Sequence, residues 1–419
     1  MVPAALTKAL QLRQLPFEHL IETTRKQLLI IILAGTIGRS VTGGQTWANL
    51  HYLLGLRALG HDAYYLEDVG EWSETYDWRT QCNTNSLDHP ANYIDHALSA
   101  HGFGNKWIYR TNDDCRGMSI AQFGELCEQA DLLLIRGVPI LVWRPDYDAP
   151  RRRAFIDVDP GFTQIRLANR EPAFVETMAH CESVFTYATR MGRPDCTIPS
   201  AERIWHPTVP PIDLDAWPAL TPIPTAPWTT IVRWRGVNDV QHNGVRYGQR
   251  DQEFPKFFGL PHATGARFRI ALIGDGRTAL EVNGWEVVDG GEATPDLESY
   301  RRFISDSRGE LGIAKQCYVD TRGGWISDRS VSYLAAGRPV IVQDTGIGDW
   351  LSVGRGVLTF QSYGDAAAAV ADLEANYELH AASARQIAER FFDAKHVLGK
   401  LLDEANNSIV TFNHPVGKA

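Results

Sequence analysis

Short apolar runs alternate along this chain with segments of helical length, and the alternation occurs twice. Leu28 to Ala34 is an unbroken apolar run, followed by a loop rich in glycine and hydroxyl residues, Gly35 to Gly44. From about Gln45 to Leu59 the residues Trp47, Leu50, Leu53, Leu54 and Leu56 recur at helical spacing, and Gly60 stops the helix. Ala63 to Leu66 is apolar again. Strand, helix and strand in that order predict a parallel sheet, because the crossover returns the second strand in the direction of the first. Asp131 to Ile135, Ala154 to Val158 and Ser183 to Ala188 extend that sheet.

Seven prolines fall between Pro207 and Pro227, a density that resists helix interiors and central strands and suits an extended linker. Beyond it the alternation resumes. Thr229 to Trp234, Phe268 to Ile273, Trp285 to Val288, Glu310 to Ala314, Pro339 to Gln343 and Gly356 to Phe360 predict a second parallel sheet. Thr294 and Pro295 suit the cap and first position of a helix carrying Leu297, Tyr300, Phe303 and Ile304, and Asp365 suits the cap of the alanine-rich helix from Ala366. Ala384 to Phe392 and His396 to Ala405 read as closing helices. The fold class is therefore α/β, with two Rossmann-like domains facing a central cleft. The expected divisions are an N-terminal helical extension over 1–27, a first domain over 28–206, a linker over 207–228, a second domain over 229–380, and closing helices with a tail over 381–419.

Length agrees, since 419 residues exceed one ordinary domain and suit two. The formal net charge of −9 weighs against a long nucleic-acid footprint. The six cysteines form no C-x-x-C pair, which predicts neither a zinc site nor a disulfide framework and points to a reducing cytoplasm. Leu28 to Ala34 is much shorter than the roughly 20 residues of a membrane span. It reads as a buried strand.

In doubly wound sheets the ligand lies beyond the carboxyl ends of the strands, so the loops there are the places to search. Lys315 to Val340 is the richest. It contains Gly323 and Gly324, a helix start at Ser327 or Asp328, and Gly337 with Pro339 before the next strand. A helix start offers unpaired N–H groups to a diphosphate, and Lys315, Arg322 and Arg329 would add charge. Ser327 and Asp328 taken alone are equally simple helix caps. Trp325 could stack on a base or fill the core. Gly346, in the loop after the next strand, would face the same cleft. Arg233 and Arg235 share one strand face around Trp234 and could reach one phosphate. In the first half, Gly43 and Gly44 precede a helix where backbone and ligand meet. Asp157 and Asp159, at a strand exit ended by Pro160 and Gly161, could take a proton from an acceptor hydroxyl, or merely cap the turn. His51 reads as packing between Trp47 and Leu54.

The run SVSYLAAGRPVIVQDTG resembles a hallmark segment of the group-1 glycosyltransferases of GT-B fold, and IAERFF resembles their closing helix. Gly43 and Gly44 match their glycine loop, and PTVPPIDLDAW their domain crossing. The chain is thus similar to a divergent bacterial member of that family from about Leu28 to Ala405. The resemblance implies a nucleoside-diphosphate sugar such as a UDP-sugar in the second domain, held by Lys315, Arg322, Ser327 to Arg329 and Gly346. It also implies an acceptor near Gly43, Gly44, Asp157 and Asp159. Two positions depart from the pattern: Ser332 stands in place of the glutamate that grips the ribose, and Gly324 near where another glutamate meets the sugar. Asp328, one turn before Ser332, could substitute. The D-x-D spacing at Asp157 resembles the metal signature of single-domain glycosyltransferases, but a two-Rossmann frame implies no metal cofactor. Transfer to a small-molecule or glycan acceptor is the expected activity. Epimerisation of the nucleotide sugar, or binding without catalysis, stay open beside it.

Overall fold

The computed structural model describes residues 28–407, apart from 72, 73, 78, 79, 81 and 139. The expected extension over 1–27 and the tail beyond 407 lie outside the described residues. Two sheets carry the chain. In the first half the strands are β1 (Ile30–Ala34), β2 (Asp62–Asp68), β3 (Thr75–Asp77), β4 (Cys82–Thr84), β5 (Trp107–Arg110), β6 (Cys115–Gly117), β7 (Leu132–Arg136), β8 (Arg153–Asp157), β9 (Ser183–Thr186) and β10 (Trp205–Pro207). Eight of them form one sheet in the order β10-β9-β8-β7-β1-β2-β5-β6, parallel except at the β5–β6 edge, while β3 and β4 make a separate hairpin. Ile31, Ile32 and Leu33 of β1 are fully buried, as a strand covered by helices on both faces requires.

In the second half the strands are β11 (Trp228–Arg233), β12 (Val240–His242), β13 (Val245–Tyr247), β14 (Phe268–Ile273), β15 (Glu286–Asp289), β16 (Gly309–Gly312), β17 (Val340–Gln343) and β18 (Val357–Phe360). Six of these form an all-parallel sheet in the order β15-β14-β11-β16-β17-β18. Strand order reverses between β7 and β1 in the first sheet and between β11 and β16 in the second. At such switch points neighbouring loops diverge and leave room for a ligand.

The halves are joined by more than a linker. Within the proline-rich crossing, Trp217 is 1% exposed, and the carbonyls of Leu220 and Thr221 accept from the buried Arg338. Ile212 pairs in parallel with Asp393, where the chain crosses back, so the two crossings run side by side. The last helix, Ala394–Asn407, then lies on helix Gly43–Ala58 of the first half, with Gly55 leaving space for Ala394 and Leu398.

Three helix ends differ from expectation. Asp296, not Thr294, caps helix Leu297–Ser305 by accepting from the Ser299 amide at 2.8 Å, so Pro295 lies outside the helix. Ser362 caps the alanine-rich helix, which begins at Tyr363, and Asp365 returns the bond as the third residue of a capping box. The expected closing helix at Ala384 starts earlier, at Tyr377, and ends in a π-helical turn over Ala388–Phe392.

Helix Gly43–Ala58 meets the second domain without side chains at its tip. The Gly43 amide donates to the Thr294 carbonyl at 3.0 Å, and Trp47 Nε1 donates to the Leu297 carbonyl at 2.8 Å. A Cβ on Gly43 would overlap the Asp296 carbonyl, and one on Gly44 would lie 2.8 Å from the Tyr300 ring. Gly43→Ala is therefore expected to destabilise the protein by about 1–3 kcal/mol, as overpacking does. Gly124→Ala, in a helix with open space at that position, should instead add about 0.5–1 kcal/mol. Urea denaturation of the two variants checks both signs.

Candidate active site

The carboxyl ends of the two sheets point at each other, and charged side chains cross between them. Arg136, at the end of β7 and 2% exposed, donates to Asp328 at 3.2 Å. Tyr187 reaches the other oxygen of that carboxylate at 3.5 Å and meets the Tyr52 hydroxyl at 2.9 Å. Lys315, just past β16, donates to Asp159 at 2.6 Å, and the Tyr318 hydroxyl donates to the same oxygen. Arg190 of the first domain bonds Asp349 at 2.7 Å and the Arg322 carbonyl at 2.7 Å. Burial pushes the Asp159 carboxyl up, but Lys315 and Tyr318 outweigh it and hold the group below the usual carboxylate range.

These contacts change the meaning of most residues singled out in the sequence. Gly43 and Gly44 are not a ligand loop, because the second domain occupies the space above them. Asp157 is fully buried: it accepts from Gln164 at 2.7 Å, Thr186 at 2.6 Å and the Asp159 amide at 3.0 Å. Burial raises it to about 6. It builds the turn and does not face the cleft. Asp159 is tied to Lys315 and is a weak base in that state. Trp325 packs on Tyr318, ring centroids 4.1 Å apart, and donates to the Val158 carbonyl at 3.2 Å, so its face is not free for a base.

Arg322 pairs with Asp195 and Asp344. Arg329 donates to the fully buried Glu310 at 2.5 Å and to the Ile231 carbonyl at 2.6 Å. Beside it, burial and the Arg329 charge lower Arg250 to about 10. Ser327 caps the helix by accepting from the Arg329 amide, and Ser332 is buried, bonded to the Asp328 carbonyl. A side chain at Gly346 would strike Arg190, so this glycine serves the domain contact. Arg235 turns to Asp251 and Asp239, away from Arg233. The two arginines do not share a phosphate. His51 packs between Trp47 and Trp217, and burial lowers it to about 3.

Arg233 remains. It ends β11 at the switch point of the second sheet, is exposed, and has no ion-pair partner among the described residues. It lines a cavity of about 510 Å³ between the domains. Ser40 and Thr42 from the loop after β1 form one wall, Glu74 and Asn83 from the β3–β4 segment another, and Gly274 and Asp289 close it from the second domain. A cavity of about 540 Å³ behind the domain crossing, with Phe391 and Lys400 in its wall, lies away from the strand ends and their charges.

The residue the sequence did not reveal is Glu67. It is fully buried at the end of β2, accepts from the Gly38 and Arg39 amides, both at 2.7 Å, and takes the Tyr65 hydroxyl at 2.7 Å. Burial raises it to about 7 against the pull of those three donors and of the Arg39 charge. Tyr109 on β5 also faces it. The available signal was a carboxylate set in the buried strand Asp62–Asp68, which no alternation explains.

No curated relative matches the chain by sequence. Residues 257–404 match the glycosyl transferase-like family. Among solved structures, an alpha-glucosyltransferase in complex with UDP and a 13-mer DNA is similar at a TM-score of 0.58 with 11% identity, over 91% of this chain and 100% of that one. HepE of Anabaena in complex with UDP-glucose is similar at a TM-score of 0.56 with 10% identity, over 90% of this chain and 99% of that one. The chain thus has a glycosyltransferase fold with a glycosyl transferase-like second domain, and it is a transferase.

Glu67 also sets a pH dependence. Its folded value lies above its unfolded one, so its contribution is fully present below about pH 4.5 and is lost as pH rises through about 7. Stability read from urea midpoints should decline between those limits. The decline should shrink in Glu67→Gln, whose amide does not titrate.

Proposed function

We propose that the cavity between the domains is where a sugar passes from a nucleoside-diphosphate donor, with UDP as the nucleotide, to an acceptor hydroxyl. One observation carries the reading: Arg233 is a cation without an ion-pair partner among the described residues, at the switch point of the glycosyl transferase-like domain and in the wall of the cavity. A guanidinium there meets the charge that grows on a departing diphosphate, and such stabilisation in a partly enclosed site lowers the barrier directly. Arginine then supplies the charge for which other transferases use a metal. Glu74 and Asp289 are the carboxylates on the cavity walls. They stand where an acceptor hydroxyl would lose its proton, which the buried Asp157 does not. Asp289 already spends one oxygen on the Gly291 and Glu292 amides, which fixes its orientation. Contacts across the domains keep bulk water from the donor, whose hydrolysis is the competing reaction.

The acceptor in this reading is a small molecule or glycan. The DNA in one similar structure belongs to that protein, and the net charge of −9 here supplies no counterpart to a phosphate backbone. All six cysteines are unpaired, which fits a reducing compartment and, in this reading, the bacterial cytoplasm. No helix among the described residues is long and apolar enough to cross a membrane.

Calorimetry with UDP and UDP-glucose tests the assignment. Arg233→Ala is expected to weaken UDP binding by about tenfold or more, a typical loss for one charge-assisted contact. Arg235→Ala, whose guanidinium is held by Asp239 and Asp251, should bind as the wild type does. Equal affinities in all three proteins, or no nucleotide binding by the wild type, would remove the assignment.

A further inference from the structure

Loops after the first strand of a Rossmann-like sheet commonly turn their amides toward a phosphate, helped by the helix that follows. In this chain those amides face inward. The Gly35 amide donates to the Leu66 carbonyl at 3.0 Å, and the Ile37 amide to the Tyr65 hydroxyl at 2.8 Å. The Gly38 and Arg39 amides converge on the two oxygens of Glu67, and Gly43 donates to the second domain. Tyr65 and Glu67 sit two residues apart on β2 and therefore on one face of the strand. The Tyr65 hydroxyl donates to Glu67 while accepting from Ile37, which links three consecutive loop amides to one buried pair. Gly38 makes this possible by close approach: a Cβ there would lie 2.8 Å from the Tyr109 ring and 3.0 Å from Ile94.

A carboxylate inside the protein thus takes the place that an anionic ligand would otherwise have at this loop. We infer that Glu67, with Tyr65, is a positioning residue: it clamps the loop after β1 so that the loop presents the side chains of Arg39 and Thr42 to the cavity instead of its amides. The inference rests on the reading of that cavity as the donor site. It also explains why phosphate contact falls to Arg233 in the opposite wall, since the backbone cradle of the first domain is already filled. Glu67 acts through the loop and touches no ligand itself.

The test is Glu67→Gln, which keeps the shape but sets an amide NH2 against one of the two backbone donors. Hydrogen exchange at Ile37, Gly38 and Arg39 should quicken by about tenfold or more, as local opening loses its protection. In an assay of UDP-glucose hydrolysis, KM for the donor should rise by about five- to tenfold while kcat stays within about twofold, the split expected when binding geometry and not chemistry is disturbed. Tyr65→Phe, which frees the Ile37 amide and leaves Glu67 in place, should show a smaller change of the same kind, and it serves if Glu67→Gln does not fold. Unchanged exchange, or faster exchange with unchanged KM, overturns the inference. The exchange measurement needs no ligand, so unchanged exchange removes the role of Glu67 whatever the wild type binds. A wild type that binds no UDP-glucose removes the donor reading alone.

Discussion

The fold is organised by ion pairs that cross the cleft. Arg136 sits almost completely buried against Asp328, and Lys315 against Asp159, each pair taking one member from each domain. Desolvating such groups costs several kcal/mol per ion unless the partner and its hydrogen bonds are in place. The pairs therefore do little for net stability, but they leave few arrangements of the two sheets that satisfy both. Tyr187, Tyr52 and Tyr318 supply the remaining hydrogen bonds, and the aromatic packing of Trp47, Trp217 and Tyr300 closes the contact from one side. On the other side the β12–β13 hairpin reaches over helix Phe162–Ala168, with Asn169 donating to the Gln241 carbonyl at 2.9 Å. What stays open between these seals is the cavity beside Arg233.

The architecture was legible because parallel strands buried on both faces must be apolar throughout, and runs such as Leu28 to Ala34 or Pro339 to Gln343 have no other use in a chain of this composition. The β3–β4 hairpin and β6 were not legible, since strands of three residues carry too little pattern. The β12–β13 turn did leave a trace in Asn243–Gly244, both at positive φ, the pair that a tight hairpin favours. The helix caps slipped by a few residues for a plain reason. Thr294, Asp296, Ser362 and Asp365 are all competent caps, and packing rather than propensity selects among them.

The site was less legible, and the reason is one of pairing. Basic residues next to glycines look like phosphate ligands when the chain is read locally. Whether a given arginine is free depends on carboxylates that the fold brings from elsewhere: Glu310 for Arg329, Asp195 for Arg322, Asp251 for Arg235. Nothing in the local sequence separates Arg233 from Arg235, two residues away on the same run. The same holds for Asp157 and Asp159. Their spacing suggested one chemistry, yet one builds a buried turn and the other a bond across the domains. Glycines misled in the same manner: Gly43, Gly44 and Gly346 are small because another domain's atoms stand where a side chain would be.

This bears on where the donor's charge is met. The start of helix Asp328–Ala335 has the unpaired amides and the dipole that suit a diphosphate, but Ser327 accepts from one of those amides, and the Asp328 carboxylate stands at the same end, paired with Arg136. An anion entering there would have to displace a carboxylate and leave Arg136 buried with a different partner. Arg136 Nε already lacks one, and so does the second oxygen of Glu310. Each unmet buried group raises the cost of further rearrangement. At the cavity no such exchange is needed, because Arg233 reaches it from a strand end and Asp289 is oriented by the amides it caps. The loop across from them is held by Glu67. Charge that is committed inside the domain contact sets the geometry, and charge left uncommitted at its edge is available to a ligand.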